Sequence, residues 1–332
     1  MSADSLRRRG PLVAVVGAAL ALGVTACGSV AGVHEAPSQV TTVAPLGGLK
    51  AQEITARVLA EAESAAVAPP GQAAVIRRRA LTGPALAVAE AAARLGPNPG
   101  SPGAPIRKSE PPKVLAVSRG TGWPRVILAR TTGADGATRL NLLSSPDART
   151  AFRLAFAATM HPGATVPAID PLPQGSPLVL DGAGLTVAPD ALVRELAAGL
   201  AYPRPAATPH VLTTDPFSVA VRANAAAQAK AFGGLATLTR SHQPQAGASV
   251  ALALHGGGAV VFALLQRTDS ITLKPGGRSL TPNAQFQHLV GKRTLTRSAE
   301  LKTYETVVLT LPPEGKASVV AVDEVLFSAK GA

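Results

Sequence analysis

The chain is poor in three kinds of residue on which whole classes of protein depend. Its 332 residues include one cysteine, so no internal disulfide framework can support the fold. Aromatic residues make up 3% of the sequence, which leaves few stacking side chains for a nucleic-acid surface. Charged residues account for 16%, below the roughly 25% that is usual in soluble domains. We therefore expect a core of Ala, Val and Leu, and a partner other than nucleic acid.

The charged residues that are present carry a clear excess of one sign, with a formal net charge of +12. One interpretation is an arginine-rich, solvated surface without a binding role. The other is attraction to anionic lipid headgroups or wall polymers, since each basic residue close to a membrane surface contributes about 1 kcal/mol. Composition alone leaves both interpretations open.

The amino-terminal residues have the layout of an export signal. Arg7, Arg8 and Arg9 form a compact cationic segment, and residues 11–26 carry no charge and are mostly Ala, Val, Leu and Gly. This apolar run is shorter than the about 20 residues that a permanent membrane span needs. A short apolar run that ends in small residues is typical of a secretory signal, which we assign to residues 1–26.

The end of that run resembles a lipid attachment site. Val24-Thr25-Ala26-Cys27 is similar to the lipobox of bacterial lipoproteins. The resemblance implies diacylglyceryl transfer to the Cys27 thiol, cleavage between Ala26 and Cys27, and a lipid anchor on the extracytoplasmic face of the cell membrane. The alternative is an ordinary secretory signal that happens to contain a thiol.

After the signal, the pattern predicts a flexible tether over residues 27–48 and then helices followed by strands, in that order, twice. The tether is rich in Gly, Ser, Thr and Pro and has almost no charge. Apolar periodicity and turn residues place the elements. The predicted helices are 51–68, two shorter ones within 72–95, 189–201 and 215–232. The predicted strands are 114–119, 125–131, 138–143, 152–160, 235–241, 249–254, 259–268, 272–274, 298–311 and 317–328.

This order of elements favours an α+β fold with antiparallel sheet, because βαβ arrays alternate helix and strand instead. We expect two lobes, 49–177 and 178–332, each with helices followed by a curved sheet. One face of each sheet should cover the helices while the other faces solvent. The helix 215–232 should lie across the covered face and bury Val219 and Phe232. The order resembles the cystatin-like or nuclear-transport-factor-like cone. Together with the segments 82–86 and 122–125, it also resembles actinobacterial lipoproteins of uncharacterised function that have two such halves, over about residues 50–330.

The sequence contains no recognisable motif for catalysis, cofactor binding or metal binding, so we predict no catalytic, cofactor or metal site. His255-Gly256-Gly257-Gly258 resembles the oxyanion-hole segment of some lipases, but that chemistry needs a G-x-S-x-G nucleophile elbow that the chain lacks. A hairpin turn explains the glycines. Asp323 and Glu324 are adjacent in a strand and should point to opposite faces, so they are poorly placed to act as an acid/base pair. Trp123 is expected to be a core anchor or the rim of a pocket.

These features predict a lipid-anchored protein of the cell envelope that binds or assembles and does not catalyse. Its expected partners are membrane lipid through the acylated amino terminus and an unknown protein. A carrier of a small lipophilic or cell-wall ligand in a cone-shaped cavity is the alternative, because a core of Ala, Val and Leu suits an apolar cavity. A hydrolase is the third hypothesis.

Overall fold

A computed structural model describes residues 43–95, 106, 110–276, 279–282 and 284–332. The described residues belong to one compact unit, Val40–Ala332. The predicted signal peptide, Ala26 and Cys27 lie outside the described residues, as does the predicted tether up to residue 42.

Six helices are present among the described residues, and caps explain where the best-defined one begins and ends. The Asp215 side chain accepts a hydrogen bond from the Ser218 N–H (2.9 Å), Pro216 opens the helix, and Gly233 follows its end with φ +54°. No described helix combines the length and the apolarity that crossing a bilayer requires. The helices are α1 (Gly48–Val67), α2 (Pro70–Ala80), α3 (Gly83–Leu95), α4 (Pro189–Gly199), α5 (Pro216–Phe232) and α6 (Ala284–Val290).

The described strands form one antiparallel sheet, which curls into a half-barrel and confirms the α+β class. Its strand order is β1-β2-β3-β4-β8-β7-β6-β5, so each half of the chain contributes a four-stranded meander. The strands are β1 (Lys113–Val117), β2 (Arg125–Thr132), β3 (Thr138–Ser145), β4 (Arg153–Met160), β5 (Ala236–Ala253), β6 (Ala259–Leu273), β7 (Ser298–Leu311) and β8 (Ser318–Gly331).

The two meanders meet at β4 and β8, which pair only through Thr159 with Val322 and Met160 with Ala321. Beyond these pairs α3 packs against both strands, so it occupies the place where they diverge. One cluster of buried apolar residues contains side chains from both meanders. Each half of the chain therefore contributes one meander, and the two meanders share one sheet and one part of the core.

Both faces of the central strands are covered, because the sheet curls around its own inner face. On the outer face of β6, Val261 and Ala263 pack beneath α4 and α5. On its inner face, Val260 and Phe262 pack against the other meander, and the ring centroids of Phe262 and Phe156 lie 5.8 Å apart. The expectation that one sheet face is free for solvent is wrong for these strands.

Two residues expected in the core lie at the surface. Val219 of α5 is 48% exposed, while Phe217 and Val221 of the same helix are buried, so the helix is rotated from the expected orientation. Trp123 is 36% exposed and its ring lies under the Arg125 guanidinium, 4.4 Å from the ring centroid. Trp123 is therefore not a core anchor.

Several elements differ from the expectation, and the strands predicted at 259–268 and 272–274 are one strand, β6. The last residues of the predicted tether pack on the fold: the Ala44 N–H donates to Pro173 O (3.1 Å), and Ala44 and Leu46 contact a buried cluster that includes α1. The two strands predicted at 235–241 and 249–254 are one strand, β5, with a register shift between Pro244 and Ser249. Helix α6 was not predicted.

Candidate functional site

Residues 161–179, which we call the strap, join the two edge strands of the half-barrel. The strap leaves β4 after Met160. Ser176 exchanges two backbone hydrogen bonds with the end of β1, each 2.8 Å long. Pro177 and Val179 each make one with β5, both 2.9 Å long. Four extended residues span at most about 14 Å, so β1 and β5 lie close together and the strap closes the open side of the sheet.

A carboxylate in the strap holds it to both halves. The Asp170 Oδ1 lies 2.7 Å from the His255 Nδ1, and its Oδ2 lies 2.5 Å from the Arg119 Nη2. Arg119 follows β1 and also donates to Gly175 O, while the His255 N–H donates to Ala168 O (2.9 Å). Both oxygens of the largely buried Asp170 carboxylate are thus used, and we call this cluster the latch.

Replacing Asp170 with Asn is expected to lower the free energy of unfolding by about 2 kcal/mol, the usual contribution of hydrogen bonds to charged groups. The strap should also be cut faster by protease in the variant. Urea denaturation and limited proteolysis measure the two effects. The exposed Asp181, which only accepts from the Ala183 N–H (3.1 Å), is the matched control, and Asp181→Asn should stay within about 0.5 kcal/mol of wild type. Equal effects of the two variants would contradict the latch.

The glycines after His255 form the β5–β6 hairpin turn, as predicted. Gly256, Gly257 and Gly258 all have positive φ values, between 80° and 110°. A Cβ atom on Gly258 would lie 2.2 Å from Leu311 O, so only glycine fits this close approach. Among the described residues, His255 has no serine, threonine or cysteine side chain as a hydrogen-bond partner. The turn and the latch therefore explain this segment without a nucleophile.

An open cleft of about 510 Å³ lies on the inner face of the first meander, beneath the start of the strap. Pleating places Leu140 and Met160 on the inner face, and Leu115 and Val166 contact the same buried cluster. The remaining lining residues are Arg130, Gly136, Ala137, Thr138, His161, Pro162, Gly163, Ala164 and Thr165. The cleft is therefore an apolar groove with a few polar groups along its rim.

Two cations lie side by side at this rim. Arg130 lines the cleft, and Lys113 is its direct cross-strand neighbour in the register of β1 and β2. Both are exposed, and neither makes an ion pair or hydrogen bond within the described chain. The acidic residue on the segment before β1, Glu110, accepts from the Thr132 hydroxyl (2.6 Å). Like charges directly opposite each other on a sheet are destabilising. A bound anion would reduce the repulsion between Lys113 and Arg130, so the rim of this apolar cleft is suited to binding an anion.

His161 adds a polar group without adding charge. Burial lowers the pKa of His161, and the carboxylate of Asp215 opposes that effect only in part, so the ring is neutral at pH 7. Its Nε2 is buried and has no hydrogen-bond partner among the described residues. The positive charge at the cleft therefore comes from Lys113 and Arg130.

A second polar cluster, the outer-face network, lies beneath α5. Arg240 binds Asp269 through Nε (2.5 Å) and Nη2 (3.1 Å), and its Nη1 donates to Val221 O of α5 (2.8 Å). Arg267 lies among three carboxylates, with Nη1 2.8 Å from Glu305 Oε1. The further members are Glu324, paired with Arg267, and His242, whose Nε2 is 3.4 Å from Glu305 Oε2.

The charges of the outer-face network neutralise one another. Burial alone would raise the pKa of Glu305, but His242, Arg267 and Arg240 outweigh it and hold that pKa below its usual value. Burial would lower the pKa of Arg267, but the carboxylates of Glu305, Glu324 and Asp269 outweigh that effect and raise the pKa above its usual value. A cleft of about 370 Å³ lies above Arg240, Arg267 and Asp269, but its charged groups already have partners. The network therefore holds α5 to the sheet.

Family membership follows from the extent of one match. A family model described as a domain of unknown function, DUF8094, matches residues 77–331, well over half of the chain. The chain belongs to the DUF8094 family. The DUF8094 region begins within α2 and contains all eight described strands, the strap, the inner cleft and the outer-face network. No curated protein and no solved structure matches the chain.

The structure brings together residues that the sequence did not single out. Asp170 lies in a loop rich in Pro and Gly. Its position between Ile169 and Pro171 is the one sequence feature that could have indicated a structural role. Lys113 and Arg130 become neighbours only through strand register. The proposed lipidation and cleavage residues, Cys27 and Ala26, lie outside the described residues. Within the described chain, no three or more His, Cys, Asp or Glu side chains are grouped so that they could hold a metal ion.

Proposed function

We propose that the protein is a lipoprotein anchored on the extracytoplasmic face of the cell membrane, where it acts as a non-catalytic binding module of the cell envelope. The anchor rests on the lipobox-like segment that ends at Cys27. Two acyl chains near this residue would hold the protein durably, since each buried CH₂ contributes about 0.8 kcal/mol. A protein partner, anionic headgroups or wall polymers remain the expected partners of the module.

The observation that carries binding as the function is the inner cleft with its two cations, which have no partner among the described residues. Binding sites are concave, mostly apolar, and contain a few polar groups that orient the ligand. The lining of this cleft is mostly apolar, and Arg130 with its cross-strand neighbour Lys113 supplies charge at the rim. The Asp170 carboxylate of the strap is committed to the latch. These groups support recognition of a ligand.

The same cleft favours a second, narrower function, a carrier of a small lipophilic or cell-wall ligand. Its volume of about 510 Å³ lies within the about 300–1,000 Å³ of ordinary ligand pockets. We also propose that each meander with its helices corresponds to one cystatin-like half. The repeated order of elements and the two-pair junction of β4 with β8 support that relationship.

Replacing Cys27 with Ser is expected to remove the fatty-acid label and release the protein from membranes, because the thiol is the acceptor of the diacylglyceryl group. Cells grown with a clickable fatty acid are fractionated, and the label and the protein are measured in the membrane fraction. Ser29→Ala, a change of similar size close by that leaves the thiol in place, should keep both. Label that persists on the Cys27→Ser chain would refute the anchor.

A further inference from the structure

We infer that the inner cleft binds a small amphiphile with an anionic head, whose carboxylate or phosphate lies between Lys113 and Arg130 and whose apolar part lies beneath the strap. This inference rests on the proposed binding function and names its ligand class. It is argued from charge at the rim, from the lining of the cleft, and from the contrast with the outer-face cleft.

The two adjacent cations at the rim favour binding of an anion. Lys113 and Arg130 repel each other as direct cross-strand neighbours, and neither has an acidic partner within the described chain. An anionic head between them would turn that repulsion into two attractive contacts. The Arg130 guanidinium presents the planar fork of donors that fits carboxylate and phosphate, and Lys113 adds a second positive charge. The neutral imidazole of His161, whose Nε2 has no hydrogen-bond partner within the described residues, offers a further polar contact.

The apolar lining of the cleft favours a ligand that has an apolar part in addition to its anionic head. Leu115, Leu140, Met160 and Val166 border the space next to Arg130 and continue into the buried cluster between the meanders. Methionine adapts to irregular apolar shapes, which suits a flexible chain. A free inorganic anion would leave this surface in water, so the head and the tail of one molecule explain the site better than an ion does.

The outer-face cleft also contains cations, but it is less suited to an anionic head than the inner cleft is. Its floor also contains two arginines, Arg240 and Arg267, beside apolar side chains. There, however, Arg240 is bidentate to Asp269, and Arg267 is surrounded by three carboxylates. An anionic head would compete with partners already in place. At the inner cleft the two cations have no such partners in the part of the chain that the structure describes.

Isothermal titration calorimetry on the full chain carrying Cys27→Ser, which removes the acylation site, tests the inference with four probes. Decanoate and decyl phosphate carry the tail with a carboxylate or a phosphate head, decanol carries the tail alone, and orthophosphate carries the anion alone. We expect at least one anionic amphiphile to bind at least tenfold more tightly than decanol and orthophosphate. The stronger of the two identifies the head group.

Arg130→Gln and Lys113→Gln should each weaken binding of the anionic amphiphile about tenfold and leave decanol unchanged. Both side chains are exposed, so the variants should fold, which circular dichroism checks. Arg204→Gln, the same change at an exposed site in the loop after α4, should have no effect.

Three results would overturn the inference. They are no binding of either amphiphile, binding of decanol as tight as that of the anionic amphiphiles, and affinities that are unchanged in Lys113→Gln and Arg130→Gln. Orthophosphate binding as tightly as decyl phosphate would make the site one for a free anion and would overturn the ligand class as well. The fatty-acid label on wild-type Cys27 is measured separately, so failure of this ligand class and failure of the membrane anchor are distinguishable.

Discussion

Replacing Val261 with Asp should lower the free energy of unfolding by more than about 4 kcal/mol, enough to unfold a marginal domain. Val261 has no exposed surface, and it lies on the outer face of β6 between Ala251 of β5 and Leu309 of β7. Helices α4 and α5 cover that face. An aspartate here would be buried among apolar groups without a partner, which is among the costliest single changes.

The matched control for that variant is Val75→Asp. Val75 lies in α2 and is 67% exposed, so the same chemical change leaves the new charge in water. Its effect should stay within about 1 kcal/mol, the scale of helix propensity and surface changes. Urea denaturation of both variants measures the difference. Similar small losses would mean that the outer face of β6 is not in the core.

Raising the pH from 4 to 7 is expected to reduce stability by about 3 kcal/mol through one carboxyl group, most of the about 4 kcal/mol that its complete titration contributes. Asp323 lies on β8 just after the two residue pairs that join β8 to β4. Burial raises the pKa of Asp323 from 3.8 to about 7, although a hydrogen bond with Thr159 and the Arg139 guanidinium act in the opposite direction and Asp135 adds to the rise. The Oδ2 atom of Asp323 is buried without a hydrogen-bond partner within the described chain.

The sign of this effect follows from where the proton is bound. Between pH 4 and 7 the folded protein keeps the proton on Asp323 while the unfolded chain has lost it. The folded state therefore binds more protons, and stability falls as the pH rises, then levels off above about pH 7. The rise in pKa from 3.8 to about 7 corresponds to about 4 kcal/mol.

Urea denaturation of wild type and Asp323→Asn across this pH range measures the contribution. The variant cannot ionise at this position, so the difference in stability between the two proteins should grow in favour of the variant as the pH rises from 4 to 7. Asp181→Asn, at an exposed turn, should keep the pH dependence of wild type. A constant difference between wild type and Asp323→Asn would show that Asp323 ionises at its ordinary pH.

The elements of the fold were readable from the sequence because local chemistry specifies them. Asp215, Pro216 and Gly233 place the start and end of α5 through capping and backbone preference, and the three glycines after His255 place a hairpin turn. Period-two patterning identified β2, β3, β4 and β7 within a few residues. The cationic segment, the apolar run and Cys27 likewise depend only on neighbours in the chain, and they carry the lipoprotein hypothesis.

The candidate site could not be predicted because its parts are distant in sequence and meet only in the folded chain. Lys113 and Arg130 face each other because of strand register, and a shift of one residue would turn either side chain to the other face. The latch joins Arg119, Asp170 and His255 only because the sheet curls until its two edges approach each other.

Local pattern therefore determined which segments are helices and strands and where the chain turns. Tertiary structure alone decided that the two meanders share one sheet, that the strap closes it, and that two cations without a partner among the described residues lie at the rim of an apolar cleft. The physical reason is that burial and pairing at these places depend on contacts between the two halves, and no periodicity within either half encodes them.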